Sequence, residues 1–533
     1  YSAFLTVVLG ARVYRIHWGK LVDEAVWTFG LLALGTILLF SFLGFRKKWR
    51  YWAPVPIYGF CLVFAVIIVI SSPDPSYQVS KPRSTPNIVW ITSDTLRSDH
   101  LSQYGYEHDV FGKFDRWKED FVQFNQSYST ASWTAPSVAS HLTSLYPLQH
   151  GKSKGSLMNK NIVTLPQVLH RVGYHTRAIS NQPLVSPGWG FGKGFDRFAS
   201  TSTVFMETTF VDILNEFWLE EQMVEYVSPL NLFYGRFQAT KQTPAGLWET
   251  FNSPGYTESL AEPFFLYLYF FDPHSPYNPG KKWYPSGTLD VDRTKYFYQS
   301  EYAKPDGKPA SEVKKDIVRR YDGEINDVAH KVDKILSYLK KRGLYKESLI
   351  VFTSDHGEKF YDHGGWLHGG TLYQEVTRVP LFVKFPDNEH AGQIVEEPVD
   401  GVDIYPTILQ TLGVSVKLPY QLRGERLVKN EELVRDLTPP IMELIGNRGQ
   451  NYEIAMVKNG RKFFITETSG TVTREAYRLR GRNSIEWEPI TNSFDTSFRR
   501  LGTIVRDHQD FPFNPYEIGQ TQREQLKALG YID

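Results

Sequence analysis

Cysteine is nearly absent: the chain of 533 residues holds one, Cys61. No internal disulfide can form, and the chain can occupy an oxidising compartment without mispairing. Excess charge is absent too. Lys and Arg number 59 against 58 for Asp and Glu, a formal net charge of +1. A near-neutral chain without a basic tail lacks the electrostatic footprint of a nucleic-acid binder. No internal repeat and no low-complexity tract is present, which excludes solenoid and repeat architectures. The first residue is not methionine, so the natural chain is expected to extend further at its N-terminus.

The length leaves room for more than one folding unit and a large core. Aromatic residues are plentiful, 15% of the total, and cluster in the first seventy positions and between about 200 and 300. Two charge-free runs, 25–45 (AVWTFGLLALGTILLFSFLGF) and 51–72 (YWAPVPIYGFCLVFAVIIVISS), are each long enough to cross about 30 Å of hydrocarbon at about 1.5 Å per residue. The intervening RKKWR points to the cytoplasm, which places everything after Ser72 outside it. SAFLTVVLG reads as the tail of a further span, about 1–11. The reading is of a multi-pass protein of the cell membrane with an extracytoplasmic catalytic domain. The proline- and serine-rich segment 73–86 is its linker.

From Asn87 the chain alternates. NIVWITSD, YHTRAISN, FFLYLYFFD, SLIVFTSD and PLFVKFP are short apolar runs with the look of buried parallel strands. Helical patterns lie between them, most clearly from Ile317 to Leu339, where apolar residues recur every three or four positions. This predicts an α/β fold, a doubly wound sheet with helices on both faces. After Lys417, AMVKNGRKFFIT and TREAYRLRG predict a small antiparallel sheet with a turn at Asn459-Gly460. The division is then 1–72 membrane region, 73–86 linker, 87–415 catalytic domain with an aromatic insertion at about 200–262, and 416–533 C-terminal subdomain. The insertion is either a small helical lid or a surface for lipid tails or sugar faces.

Three of the strands end in an acid: Asp94, Asp272 and Asp355. In open sheets ligands bind at the carboxyl ends of strands, where such acids can converge on one cation. SDHGEKFYDHGGWLHGG adds His356, Glu358, Asp362, His363 and His368 within a glycine-rich stretch. Mixed oxygen and nitrogen donors favour Zn or Mn over Ca or Mg, and one tightly held divalent metal ion is expected. Thr134, in SWTAPS, precedes a helix-like run with Pro136 near its start; a metal would activate its hydroxyl. Ser132 and Ser137 are fallback nucleophiles.

NIVWITSDTLRSDHLSQYGY, SYSTASWTAPSVASHLTSLYPLQHG, FFDPHSPY, IVFTSDHGEKFYDHGGWLHGGTLYQEVTRVPLFVKFP and VDIYPTILQTLG occur in the order of the motifs of sulfatase-like proteins. Over roughly 86–414 the chain resembles that branch of the alkaline phosphatase superfamily. With its membrane runs it is similar in architecture to phosphoethanolamine transferases and lipoteichoic acid synthases. The resemblance implies Asp94, Asp355, His356 and Thr134 as metal ligands, Thr134 as nucleophile, and His274 and His368 as groups that touch the ester or move protons. Asp272 would be an outer acceptor, and Arg97 a substrate-anion holder or a surface cation. His100, His141, His150 and His363 receive no role. Ser93 replaces a second acid, His356 replaces a usual Asn, Val138 replaces a usual Arg, and Thr134 cannot become formylglycine as Cys or Ser does. The resulting expectation is a hydrolase or transferase acting on a lipid or glycan phosphoester through a phosphothreonine. The alternatives are a sulfuric ester hydrolase without formylglycine and a non-catalytic binding member of the fold. Asn125-Gln126-Ser127 is a glycosylation-type triplet.

Overall fold

The computed structural model describes residues 77–152, 158–159, 161–200, 245–253, 260–275, 277–279, 311–429, 432–433, 437–445, 451–468, 471–479, 487–490 and 495–509. The expected spans at 25–45 and 51–72, the partial span, and 201–244 of the insertion lie outside these residues. Among the described residues no helix is long and apolar enough to cross a membrane.

Strand runs without a polar face form the middle of one large sheet. Its strands include β1 (Ile88–Ser93), β2 (Val122–Tyr128), β3 (His175–Ser180), β4 (Arg197–Ser200), β5 (Phe264–Phe270), β6 (Leu349–Ser354) and β7 (Arg378–Lys384). The short β8 (Ile394–Val395) and β9 (Val399–Asp400) both pair with β2. The order is β8-β2-β7-β6-β1-β5-β3-β4. β1, β5 and β6 run parallel, as their apolar character predicts. PLFVKFP does not: β7 pairs antiparallel with both β2 and β6, so the sheet is mixed. The connection between β6 and β7 is taken up by the site loop and the short helical turn at 374–377, and it holds no crossover helix of the kind a parallel pair uses.

Alternation splits the strand residues between two layers. Ile88, Trp90, Phe265, Tyr267 and Val351 face α1 (Thr134–Thr143) and, beyond β9, α4 (Ile404–Thr411). Val89, Ile91, Leu266, Leu268 and Phe352 face α2 (Ser311–Lys341). The α2 stripe of Ile317, Tyr321, Ile325, Val328, Val332, Ile335 and Leu339 is buried, as its spacing predicts. Each such side chain contributes about 1.5–3 kcal/mol when fully buried. α2 ends at Gly343, whose φ of +74° suits a left-handed helix stop.

A five-stranded antiparallel sheet follows: β10 (Ile441–Ile445), β11 (Asn451–Lys458), β12 (Arg461–Thr468), β13 (Thr471–Leu479) and β14 (Trp487–Pro489). Asn459 and Gly460 make the expected tight turn, both with positive φ, 51° and 66°. α5 (Asp495–Gln509) lies beyond it.

Candidate active site and metal centre

The site begins with a register. Ser93 at the end of β1 pairs with Ser354 at the end of β6. The next residues are Asp94 and Asp355, so two carboxylates leave neighbouring parallel strands side by side. Both are fully buried. Tyr269 donates its hydroxyl to Asp355 Oδ2 at 2.6 Å, and the Thr95 and His356 amides donate to Oδ1 at 3.2 and 2.9 Å. Gln182 donates to Asp94 Oδ2 at 2.6 Å. Asp94 Oδ1 is buried with no hydrogen-bond partner among the described residues. Burial and the adjacent Asp355 push the Asp94 carboxyl well above the usual carboxylate range.

His356 follows Asp355 directly. Its Nδ1 lies 2.9 Å from the Gly357 carbonyl, which puts the proton on Nδ1 and the lone pair on Nε2. That Nε2 is 3.6 Å from Asp94 Oδ1 and 3.4 Å from Asp355 Oδ2. Ligand atoms of Asp94, Asp355 and His356 all lie within 4.8 Å of one another. Two carboxylates, an imidazole lone pair and an orphaned buried oxygen fit a divalent cation of mixed-donor preference. Thr134 opens α1, and its Oγ1 is 3.2 Å from His356 Nε2. The residue at the helix cap is Trp133, so the Thr134 hydroxyl is not spent on capping. The loop carrying it is tied down by Ser129 and Ser137, whose hydroxyls both bond the Asp355 carbonyl.

His368 and His274 line the same space. The His368 ring lies 4.6 Å from that of His356, 4.9 Å from that of His274 and 5.0 Å from that of Trp133. Its Nδ1 is 3.1 Å from Glu358 Oε1. His274 stacks on Phe271, and its Nδ1 donates to the Ser275 carbonyl at 2.6 Å. The near-neutral titration expected of His274 does not hold. Burial, with the neighbouring His368, lowers it to about 3, so the ring is a neutral acceptor at Nε2.

Other expectations are corrected by their surroundings. Asp272 does not join the acids. Ser93 pairs with Phe270, so Asp272 falls one residue beyond the level of Asp94, and its carboxylate lies 3.7 Å from Lys331 Nζ. Arg97 is neither a substrate clamp nor a surface cation. It is 2% exposed and bonds Asp99 at 2.8 and 3.0 Å, Asp362 at 2.8 Å and the Glu358 carbonyl at 2.9 Å. Ser137 is a strut, and Ser132 has a buried hydroxyl with no hydrogen-bond partner among the described residues. Asn125 is 5% exposed and bonded to Glu396 at 2.8 Å, which closes it to glycosylation in the folded chain. His100 pairs with Asp322, His150 with Ser140, and His363 with Glu375, while His141 packs on Trp90.

Gln182, Tyr269 and Ser129 were not singled out from the sequence, and Glu358 was named there without a role. Tyr267 and Tyr269 put two hydroxyls on one face of an otherwise apolar strand, a signal that could have been read.

The family model described as Sulfatase matches residues 86–414. A protein named Sulfatase from Formosa agariphila is 23% identical over 517 residues, spanning 88% of this chain and 97% of its own length. The N-acetylglucosamine-6-O-sulfatase of Bacteroides thetaiotaomicron is 23% identical over 431 residues, 69% of this chain and 74% of that protein. The phosphonate monoester hydrolase SpPMH from Silicibacter pomeroyi superposes with a TM-score of 0.58 at 19% identity, covering 81% of this chain and 96% of that one. At that identity the likeness is one of fold.

Proposed function

We propose, from the premise that this chain belongs to the sulfatase family of the alkaline phosphatase superfamily, that it hydrolyses a sulfuric ester of a glycan with Thr134 as the attacking group. Family membership makes it a hydrolase with a site for a divalent metal ion. The observation that carries the finer reading is the buried Thr134 hydroxyl, 3.2 Å from His356 Nε2 and beside two acids. The sequence alone pointed first to phosphoesters of an envelope lipid or glycan. The glycan sulfatase among the relatives moves the weight to the sulfate ester.

Asp94, Asp355, His356 and Thr134 would hold the ion, Zn or Mn by donor type. When bound, the ion supplies positive charge for the sulfuryl oxygens and lowers the pKa of the Thr134 hydroxyl. Thr134 Oγ1 forms a bond to sulfur, its proton passing to His274 Nε2, as the ester oxygen leaves. His368, its Nδ1 paired with Glu358, donates a proton from Nε2 to the departing alcohol. Water then attacks the sulfothreonine and gives a proton to the emptied His368 Nε2, while His274 returns its proton to the Thr134 oxygen, releasing hydrogensulfate, which ionises to sulfate, and restoring the Thr134 hydroxyl. The α1 N-terminus contributes amides and a dipole of the sign an anion needs.

A second reading has a specific support. Thr134 and His356 stand where sulfatases carry formylglycine and Asn, so a phosphate or phosphonate monoester passing through phosphothreonine is the rival. Purified protein loaded with Zn or Mn, given aryl sulfate, aryl phosphate and a phosphonate monoester in separate assays, decides between them. Sulfate turnover with an adduct at Thr134 by peptide mass analysis is expected. Turnover of the phosphorus esters alone transfers the assignment, and no turnover or adduct with any of them overturns both. The apolar runs at 25–45 and 51–72 support anchoring in the cell membrane with this domain outside the cytoplasm. Protease accessibility in intact cells tests that orientation.

A further inference from the structure

The C-terminal sheet turns Lys462 and Glu453 toward Leu372. Lys462 on β12 is fully buried, and its ammonium donates to the Leu372 carbonyl and, at 2.7 Å, to the Thr377 hydroxyl. Glu453 on β11 accepts the Leu372 amide at 2.8 Å. Both polar groups of the Leu372 backbone are therefore taken by side chains of this sheet. Around them Met442, Ala455, Val457 and Phe464 pack on Leu372 and Tyr128. A buried ammonium is costly even when well bonded, and nothing in the proposed chemistry uses it.

The segment so gripped leads straight to the site. It runs from Leu372 through α3 (Gln374–Thr377), and His368 lies four residues before it. The Thr377 carbonyl accepts the Ser129 amide at 2.7 Å, and the Ser129 hydroxyl bonds the Asp355 carbonyl. The Val376 carbonyl accepts the amide of Gly357, the residue after His356, at 3.0 Å. A Cβ at Gly357 would meet the Glu375 carbonyl oxygen at 2.1 Å, so the two backbones touch there. Glu375 holds His363 Nδ1 at 2.9 Å, and Tyr373 stacks on that ring with centroids 4.2 Å apart. Each peptide that presents a proposed metal ligand from β6 is thus braced by α3, and α3 is braced by the sheet.

We propose that Lys462 and Glu453 are positioning residues, which fix α3 so that Asp355 and His356 keep the spacing a divalent ion requires. The inference rests on the reading that Asp94, Asp355 and His356 bind such an ion. Outer partners of this kind typically change metal affinity or activity by about 10–100-fold. The test is titration of Mn²⁺ into EDTA-stripped full-length protein, with free Mn²⁺ read by electron paramagnetic resonance. Lys462→Met and Glu453→Leu are expected to weaken Mn²⁺ binding about tenfold or more. Their kcat on the preferred aryl ester falls in parallel, with KM little changed. Glu453→Gln, which keeps the acceptor for Leu372, retains near-normal affinity. Unaltered Mn²⁺ affinity in both disruptive variants overturns the proposal, whatever their melting temperatures. Should Lys462→Met fail to fold, the contrast between Glu453→Leu and Glu453→Gln decides on the same readout. A wild-type protein that binds no Mn²⁺ would instead remove the ion-binding reading, and the inference with it.

Discussion

Two pairs of buried aspartates, Asp400 with Asp403 and Asp94 with Asp355, are finished differently. Asp400 and Asp403, at the start of α4, have a donor for every oxygen. Tyr146 and the amides of Ile441 and Val402 serve Asp400, at 2.9, 3.2 and 3.1 Å. The amides of Asp400 and Glu425 serve Asp403, at 3.0 and 2.7 Å. Asp94 and Asp355 are as deeply buried, yet Asp94 Oδ1 lacks a donor among the described residues and faces an imidazole lone pair. Burial of acids does not by itself mark a candidate metal centre; at Asp94 the missing donor coincides with a second carboxylate and an imidazole nitrogen within 4.8 Å. The first pair is complete as folded and joins α4 to the C-terminal sheet. The second keeps one oxygen that no donor among the described residues serves, where the proposed ion would bind.

That contrast can be sharpened by substitution. Thr134→Ala removes the hydroxyl aimed into the incomplete pair and should lower kcat on the order of 10⁴-fold or more. Its melting temperature should stay near wild type, and an ester assay with a thermal melt checks both. Asp94→Asn supplies an N–H where a donor is missing and removes a ligand. Mn²⁺ or Zn²⁺ affinity should fall about a hundredfold, while the metal-free protein melts no lower than wild type. A metal-free protein made markedly less stable would mean that Asp94 is an ordinary structural acid. The smallest effect concerns pH. Burial raises Asp400 to about 7. The folded state therefore holds a proton that the unfolded chain, at an ordinary carboxylate pKa, has released. Stability is greatest below about pH 4 for this group and declines as pH rises to about 7. Asp400→Asn should flatten that decline by a few degrees, and added metal should leave the effect of this substitution unchanged. Melting temperatures between pH 5 and 8, with EDTA or Mn²⁺, check it.

Much of the centre was legible because it is local. An apolar strand closing on Ser-Asp appears at both Asp94 and Asp355, and His356 adjoins the second. Thr134 could be read from its helix start. What escaped was long-range or one step out of phase. β2, VQFNQSY, mixes polar with apolar residues because its edge partners β8 and β9 are short, so it lacked a strand signal. Asp272 looked like a third acid until the pairing of Ser93 with Phe270 put it one residue too far. The partners of Arg97 at Glu358 and Asp362 lie more than 250 positions away. Tyr269 and Gln182 reach their acids only once β3 and β5 are laid beside β1. The membrane runs and the two sheets belong to different kinds of signal, and the former sit outside the described residues.

The pairing of Ser93 with Ser354 has a corollary for how the chain can change. One residue added to either strand would advance its acid by about 3.3 Å and turn it to the opposite face. Under the proposed ion binding the lengths of β1 and β6 are held constant, whereas the connections between them can grow or shrink without disturbing the pair. Novelty in what this scaffold accepts has its room in the loops, and almost none in the two rungs that carry the charge.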